Sequence, residues 1–367
     1  MLIYFFLPFF NTGVIGSSGE AWKEHRVFSL TVLRSLGVGK RSFEGQIATE
    51  SECLMEEIQS FKGSAFNPTH LFCNAVSNVI CSVVMGDRFE YDDPEFKRML
   101  WLLEDSMSHN GITLLQLAIP FIRKIPFLPP GAVPSMVALR QKLKSIVDQH
   151  RDTLDRDNLR DFIDVYINHV HEKAEQGADT YMSDIELLSV VNDFFLAGTE
   201  TTSTTLRWAL LIMMAYPDVQ QRVQKEIDAV VGRDRLPKLS DKPDLPYTEA
   251  VIHEIQRYGG IVFIGLPRQT AEETEFRGYT IPKDTFIMSY FRSTTRDPDV
   301  WDDPEVFKPE RFLDPGGRFK KVKDGLVFGS GTCIMHNKQH CYIIYHNTLY
   351  EKLLLISHFD NVKIQRS

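Results

Sequence analysis

The sequence has little cysteine and no excess of positive charge, and both shortages exclude classes of protein. Its five cysteines, Cys53, Cys73, Cys81, Cys333 and Cys341, form no short paired spacings, which argues against a disulfide framework or a zinc site and favours a reducing compartment. The 41 basic and 49 acidic side chains give a formal net charge of −8 at pH 7. Because this balance provides no basic surface of the kind that binds phosphates, we expect no nucleic-acid partner.

The start of the chain lacks a hydrophobic run long enough to cross a bilayer. Residues 1–10 are strongly apolar, but a spanning helix needs roughly 20 such residues. The segment also lacks the basic region and the cleavage site of a secretory signal. The sequence therefore predicts a buried segment here, with a membrane-surface contact as the alternative.

The chain also contains no internal repeat, low-complexity tract or obvious linker, which favours a single domain over residues 1–367. The predicted fold class is mainly α with a small β region. A capping box from Ser183 to Glu186 opens a helix of about 32 residues that ends before Pro217. Apolar periodicity predicts further helices at residues 20–36, 43–61, 68–85, 94–108, 136–155, 218–231 and 247–258, and β-type alternation at residues 274–281 and 285–290.

A proline-rich segment interrupts the helical first half of the chain. Residues 120–134 contain Pro120, Pro126, Pro129, Pro130 and Pro134 among large apolar side chains. Proline removes a helical hydrogen bond and clashes with the preceding turn, so a continuous helix is excluded. The sequence predicts an apolar loop that either packs against the protein or meets a membrane.

The middle of the long helix carries a small residue beside an acid and an alcohol. Residues 197–202 read Ala-Gly-Thr-Glu-Thr-Thr, and such a combination can open a helix locally. The carboxylate of Glu200 and the hydroxyl of Thr201 suit the relay of protons to a bound ligand. The alternative is a helix contact through small residues with solvated threonines.

A second group of charged residues lies further along the chain. Glu254 and Arg257 are three apart on a predicted helix and share a face, and Arg311 lies in the rigid segment Pro309–Phe312. These side chains form either a surface ion pair or a buried structural lock of one carboxylate with two guanidinium groups.

Trp22 and Arg26 are four apart on the first long helix, so an indole N–H and a guanidinium point the same way and can bind an anion. The alternative is an aromatic anchor beside a surface arginine. Arg268 supplies a second cation to that anion if the fold brings it near.

Taken in order, these motifs resemble those of the cytochrome P-450 superfamily, and their residues are similar to those of its microsomal family 2. Residues 22–26 match the Trp-x-x-x-Arg helix, 197–202 the oxygen-activation motif, 254–257 the Glu-x-x-Arg motif and 309–312 the Pro-Glu-Arg-Phe motif. The resemblance covers about residues 13–331 and leaves residues 332–367 as a divergent tail. It implies the cytochrome P-450 fold, incomplete at both ends, because the family carries an anchor helix and further elements before this start.

The resemblance implies roles for individual residues. Trp22, Arg26 and Arg268 would contact haem propionates, and Ala197 would line the distal pocket. Glu200 and Thr201 would support proton delivery, and Glu254, Arg257 and Arg311 would form the structural lock.

The family's haem-binding loop begins as expected and then changes. Phe328 and Gly331 fit the motif Phe-x-x-Gly-x-Arg-x-Cys-x-Gly, but Met335 stands at the position of the thiolate. A methionine thioether is neutral and cannot donate electron density as a thiolate does. Substitute ligands nearby in the chain are Cys333, His336 and Cys341.

The function that the resemblance implies is a haem b monooxygenase that inserts one oxygen atom into a lipophilic fatty acid, steroid or xenobiotic. NADPH acts only through a cytochrome reductase, which would dock on the helix face that carries Lys23 and Arg34. The implied location is the cytosolic face of the endoplasmic reticulum membrane, with the cytoplasm as the alternative because the anchor helix is absent from this sequence. The alternative function is an inactive family member without the thiolate ligand.

Overall fold

A computed structural model of the chain describes residues 12–38, 41–108, 131–266 and 268–320. These residues are mainly helical, which confirms the predicted fold class. The α-helices are α1 (Gly13–Gly16), α2 (Gly19–Ser35), α3 (Arg41–Ser60), α4 (Pro68–Val84), α5 (Pro94–Ser108), α6 (Val133–Asp152), α7 (Phe162–Glu175), α8 (Asp184–Ala215), α9 (Pro217–Val230), α10 (Pro246–Gly259) and α11 (Phe291–Thr295). Two 3-10 helices span Leu239–Asp244 and Pro309–Phe312.

Two short antiparallel strand pairs form the β region. Strand β1 (Arg268–Gln269) pairs with β4 (Phe286–Ile287), and β2 (Thr274–Phe276) pairs with β3 (Tyr279–Ile281). Arg277 and Gly278 connect β2 to β3 with φ angles of 51° and 83°. Two successive residues with positive φ are typical of the tight turn of a β-hairpin. The alternation predicted over residues 274–281 is therefore a hairpin rather than one strand.

The predicted helices agree with the structure to within a few residues at each end, but α7 has no counterpart among them. Asp161 caps this helix by accepting a hydrogen bond from the backbone N–H of Asp164. The helix buries Phe162, Ile163, Tyr166 and Ile167, a pattern of pairs four residues apart that indicates a helix. The same signal was available in the sequence.

The described residues belong to two compact units, which divide within α8 between Ser203 and Thr204. The prediction of one domain stays a prediction. In the first unit α4 is the most buried helix, with Phe72, Ala75 and Cys81 fully inaccessible to solvent. It packs against α3 and α7, while α6 packs against α5 and α7.

In the second unit α10 is the central helix and packs against α9 and the 3-10 helix Pro309–Phe312. Glu226 of α9 caps the start of α10, because its carboxylate accepts from Tyr247 N at 2.9 Å and from Thr248 N and Oγ1 at 2.7 and 2.6 Å. Four donors remain unsatisfied at the start of any helix, and Glu226 serves two of them from a neighbouring element.

Among the described residues, no helix combines the length and the apolar composition that crossing a bilayer requires.

Candidate functional site

The most completely buried charges of the second unit are Glu254 and Arg257 on α10. The Glu254 side chain is 0% exposed and the Arg257 side chain is 1% exposed. Arg257 Nε and Nη2 each donate to one carboxylate oxygen of Glu254 at 2.7 Å. This two-point geometry matches the planar guanidinium to the planar carboxylate.

The remaining donors of Arg257 reach backbone carbonyl groups that lie far along the chain. Its Nη1 donates to Thr295 O at 2.9 Å and to Pro304 O at 2.8 Å, and its Nη2 also donates to Val306 O at 3.2 Å. The guanidinium therefore connects α10 to the end of α11 and to the irregular segment before Pro309.

Arg311 approaches the same carboxylate. Its Nε is 3.6 Å from Glu254 Oε1, and its Nη2 donates to Asp303 O at 2.7 Å. The backbone N–H of Lys308 donates to Glu254 Oε1 at 2.8 Å. The structure thus brings Glu254, Arg257 and Arg311 together, as the buried alternative of the sequence analysis requires.

Two neighbouring side chains that the sequence analysis missed extend this arrangement. Arg296 donates to Tyr258 O at 2.7 Å and to Pro304 O at 2.8 Å, and its guanidinium lies 4.7 Å from the Tyr258 ring centroid. Burial lowers the pKa of Arg296. Trp301 lies with its ring centroid 5.3 Å from the Arg257 guanidinium and donates to Thr294 O at 2.9 Å. No local spacing pattern links these residues, because their hydrogen bonds to Tyr258, Pro304 and Thr294 end on backbone carbonyl groups.

The middle of α8 is a continuous α-helix, so the local opening that the sequence suggested is absent there. Thr201 Oγ1 donates to Ala197 O at 2.7 Å, one turn earlier. Ala197 is exposed, while Glu200 and Thr201 are half-buried. A Cβ atom on Gly198 would lie 2.6 Å from Ile80 Cδ1. The glycine therefore permits a close approach of α4 to α8, as the small-residue alternative requires.

On α2 the predicted indole and guanidinium contact each other. The Arg26 guanidinium lies 5.1 Å from the Trp22 ring centroid, and Arg26 is only 8% exposed. Lys23 and Arg34 of the same helix are exposed to solvent. Arg268 lies in β1 of the second unit and is exposed.

A cluster of titratable side chains in the first unit was not predicted. The carboxylate of Asp193 accepts from Val14 N at 2.8 Å and Ile15 N at 2.9 Å, and Glu186 accepts from Gly13 N at 2.6 Å. His25 Nε2 lies 3.2 Å from Glu186 Oε2. Burial raises the pKa of Asp193 to about 6, although the two backbone N–H groups act in the opposite direction. Burial lowers the pKa of His25.

Several predicted site residues lie outside the described residues, namely Phe328, Gly331, Cys333, Met335, His336 and Cys341. Residues 1–10 and most of the proline-rich segment 120–134 also lie outside them.

Comparison with known proteins gives the same family as the motif order. The family model described as Cytochrome P450 matches residues 2–334, a slightly longer range than the predicted 13–331. Cytochrome P450 2B15 of Rattus norvegicus is 42% identical over 322 residues, which cover 87% of this chain and 65% of that protein.

Two further relatives carry similar names. Cytochrome P450 2J3 of Rattus norvegicus is 43% identical over 327 residues, with 88% of this chain and 64% of that protein covered. Cytochrome P450 2B19 of Mus musculus is 43% identical over 322 residues, with 87% and 65% covered. The chain thus spans about 65% of the length of these curated relatives. The predicted resemblance is confirmed, and the chain belongs to the cytochrome P450 family.

Proposed function

We propose that this chain is built for haem-dependent monooxygenation, the insertion of one oxygen atom into a lipophilic small molecule such as a fatty acid, a steroid or a xenobiotic. The observation that carries the proposal is the buried assembly of Glu254, Arg257 and Arg311, since Arg311, which is distant in the sequence, meets the adjacent pair on α10 as the family's structural lock requires. Family membership supplies the reaction class.

The side chains on α2 fit the propionate groups of haem b. Arg26 is a buried cation beside an indole that can donate a hydrogen bond, and a buried cation is stabilised by an anionic partner. Trp22, Arg26 and Arg268 would contact the propionates, and Phe328 and Gly331 would belong to the haem-binding loop. Haem held by a cysteine thiolate supplies the electron density that activates oxygen.

Proton delivery is the proposed role of Glu200 and Thr201. The Thr201 hydroxyl donates its hydrogen to Ala197 O, which leaves oxygen lone pairs that can accept from a water molecule. Ala197 is small and exposed beside them, so it leaves room for a ligand at this turn of α8. Thr201 would therefore orient a water molecule, and Glu200 would exchange protons with it.

The haem-binding loop does not fit a haem-thiolate enzyme, because the sequence has Met335 at the motif position of the cysteine. A thioether ligand is neutral and is typical of electron-transfer haems. This residue favours a second candidate function, a non-catalytic family member that binds its partners without thiolate-bound haem. The monooxygenase proposal requires a substitute ligand from Cys333, His336 or Cys341, and only the two cysteines supply a thiolate.

The absorbance spectrum of the reduced carbon monoxide complex separates the two candidates. The full chain, reconstituted with haem, is compared with its Met335→Cys variant. A thiolate-type band in the unaltered chain supports the monooxygenase, and variants of Cys333 and Cys341 then identify the ligand. A band that appears only in Met335→Cys supports the non-catalytic candidate and contradicts oxygenase activity in the natural sequence.

Electrons would come from NADPH through a cytochrome reductase that docks on α2. Lys23 and Arg34 lie on the exposed face of this helix, about three helical turns apart, and complementary charge speeds and orients such encounters. A Lys23→Glu, Arg34→Glu double variant should lose reductase binding at low ionic strength. The control, Lys97→Glu with Arg98→Glu on the exposed face of α5, makes the same change of charge and should bind normally.

The endoplasmic reticulum membrane, on its cytosolic face, is the proposed location. The proline-rich apolar residues 120–134 are the proposed contact with the membrane surface. Sedimentation of the chain with liposomes tests this contact, and recovery of all protein in the supernatant would contradict it.

A further inference from the structure

His150, a buried histidine at the end of α6, has only hydrogen-bond acceptors around its two ring nitrogens. Its Nδ1 lies 2.8 Å from Ile146 O, while its Nε2 lies 3.0 Å from Asp161 Oδ2 and 3.2 Å from Met85 O. The side chain is 9% exposed. A neutral imidazole carries hydrogen on one nitrogen only, so either neutral form would direct a lone pair at an oxygen atom. The surroundings therefore match the protonated imidazolium.

The partner carboxylate belongs to the residue that caps α7. Asp161 is 1% exposed, and its Oδ1 accepts from Asp164 N at 3.0 Å while its Oδ2 faces His150. Gly86, just after α4, comes so close that a Cβ on it would lie 2.6 Å from Asp161 Oδ2. The end of α4, the end of α6 and the start of α7 thus meet at one imidazole ring.

The other charges nearby already have partners. Asp164 is 0% exposed and binds Arg160 at both carboxylate oxygens, at 2.6 and 2.8 Å. The negative charge of Asp87, which follows α4, raises the pKa of Arg160. Arg151, next to His150 on α6, pairs with Asp148 and Asp184. Among the charged residues around this ring, Asp161 is therefore the direct partner of His150, and Asp164 is the second carboxylate that favours its positive charge.

The position of Arg160 argues against a metal ion as the alternative partner of these side chains. His150, Asp161 and Asp164 offer ligand atoms within 4.8 Å of one another. However, the Arg160 guanidinium already occupies both oxygens of Asp164, and His150 Nδ1 faces a carbonyl oxygen. The cluster has the composition of two ion pairs, with Arg160 and His150 as the cations.

We propose that His150 is a proton-dependent latch: its imidazolium holds the ends of α4 and α6 against the start of α7, and loss of its proton releases the α6–α7 connection, residues 153–161. The deprotonated ring keeps one of its hydrogen bonds and repels an acceptor at the other nitrogen. This connection would then open as pH rises, which makes it a pH-sensitive element outside the haem-binding motifs.

The environment of the ring determines whether the latch weakens or strengthens as pH rises. Burial lowers the pKa of His150, but the hydrogen bonds to Asp161 and Ile146 and the charges of Asp161 and Asp164 outweigh burial and raise it above its usual value. A histidine whose pKa is raised by folding stabilises the fold fully below its unfolded pKa of about 6.5. That contribution is lost as pH rises through the folded pKa.

Hydrogen exchange of the full chain, measured from pH 6 to pH 9 and corrected for the intrinsic rate, tests the latch. Peptides covering residues 153–161 should lose protection at the higher pH values, by up to about tenfold per pH unit, because one proton is released on opening. A His150→Gln variant should lack this protection at every pH. The matched control, His171→Gln on the exposed face of α7, should behave like the unaltered chain.

An observation independent of folding keeps the proposal testable if His150→Gln does not fold. Nitrogen chemical shifts of the histidine rings in the unaltered chain report the protonation of His150 directly. A ring that is already neutral at pH 6, or protection of residues 153–161 that does not change with pH, would overturn the latch. Added Zn²⁺ that restores protection at high pH would also overturn it, since the cluster would then be a metal site.

Discussion

The two units of this chain both bury charged side chains, but they do so with different chemistry. In the second unit, Arg257 binds a carboxylate and three backbone carbonyl groups, and arginine stays protonated throughout the accessible pH range. In the first unit, the charged side chains include the buried His150 and the partly buried Asp193, whose pKa values folding raises. The comparison teaches that charges withdrawn from solvent can form either a permanent connection or one that depends on pH.

The largest loss in the free energy of unfolding should come from breaking the permanent connection that Arg257 makes. Replacing Arg257 with methionine leaves Glu254 buried without its main partner, and removal of one member of a buried ion pair typically costs about 3–5 kcal/mol. Urea denaturation of Arg257→Met should show this loss or an absence of folded protein. The control is Arg222→Met, which removes an exposed pair with Glu310 worth under about 1 kcal/mol. Similar losses of stability in the two variants would contradict the distinction between buried and exposed ion pairs.

An intermediate effect, visible as a dependence on pH, should come from Asp193. Its pKa of about 6 in the folded chain exceeds the unfolded value of about 3.9, so the folded state binds the proton more tightly. Its ionisation therefore costs stability as pH rises from about 4 to about 6, on the order of 1–3 kcal/mol. Relative to the unaltered chain, Asp193→Asn should gain stability over this interval in thermal unfolding. A constant difference between the two proteins would contradict the assignment.

The smallest effect should come from an exposed ion pair, which separates the influence of burial from that of charge pairing. Lys144 and Asp148 are one turn apart on α6, with 62% and 41% of their side chains exposed. Because water screens such a pair, Lys144→Met should change the free energy of unfolding by no more than about 0.5 kcal/mol. A loss comparable to that of Arg257→Met would show that pairing, rather than burial, controls stability.

Much of the helical frame could be predicted from the sequence, because apolar periodicity and proline are local signals. Pro68 and Pro94 each mark the first residue of a helix, and the predicted ends of α5 agree with the structure. The contact of Glu254 with Arg257 could also be predicted, since three residues separate them on one helix face. The Phe162 helix was missed although its pattern is local.

The long-range hydrogen bonds could not be predicted in this way. His150 contacts Met85 O, 65 residues away in the sequence, and Arg257 donates to Val306 O, 49 residues away. A backbone carbonyl is the same group in every residue, so the sequence carries no mark that selects one carbonyl as a partner. Only the packing of the helices selects it.

The cap that Glu226 provides for α10 has a consequence for the order of folding. Glu226 lies 21 and 22 residues before the groups that it binds, whereas Glu254 lies 54 residues before Lys308. Closing the shorter loop costs less chain entropy, and contacts at short sequence separation form sooner. We therefore expect the α9–α10 pair to be the nucleus of the second unit. Glu226→Gln should then mainly slow refolding, while Arg257→Met should mainly speed unfolding in stopped-flow experiments.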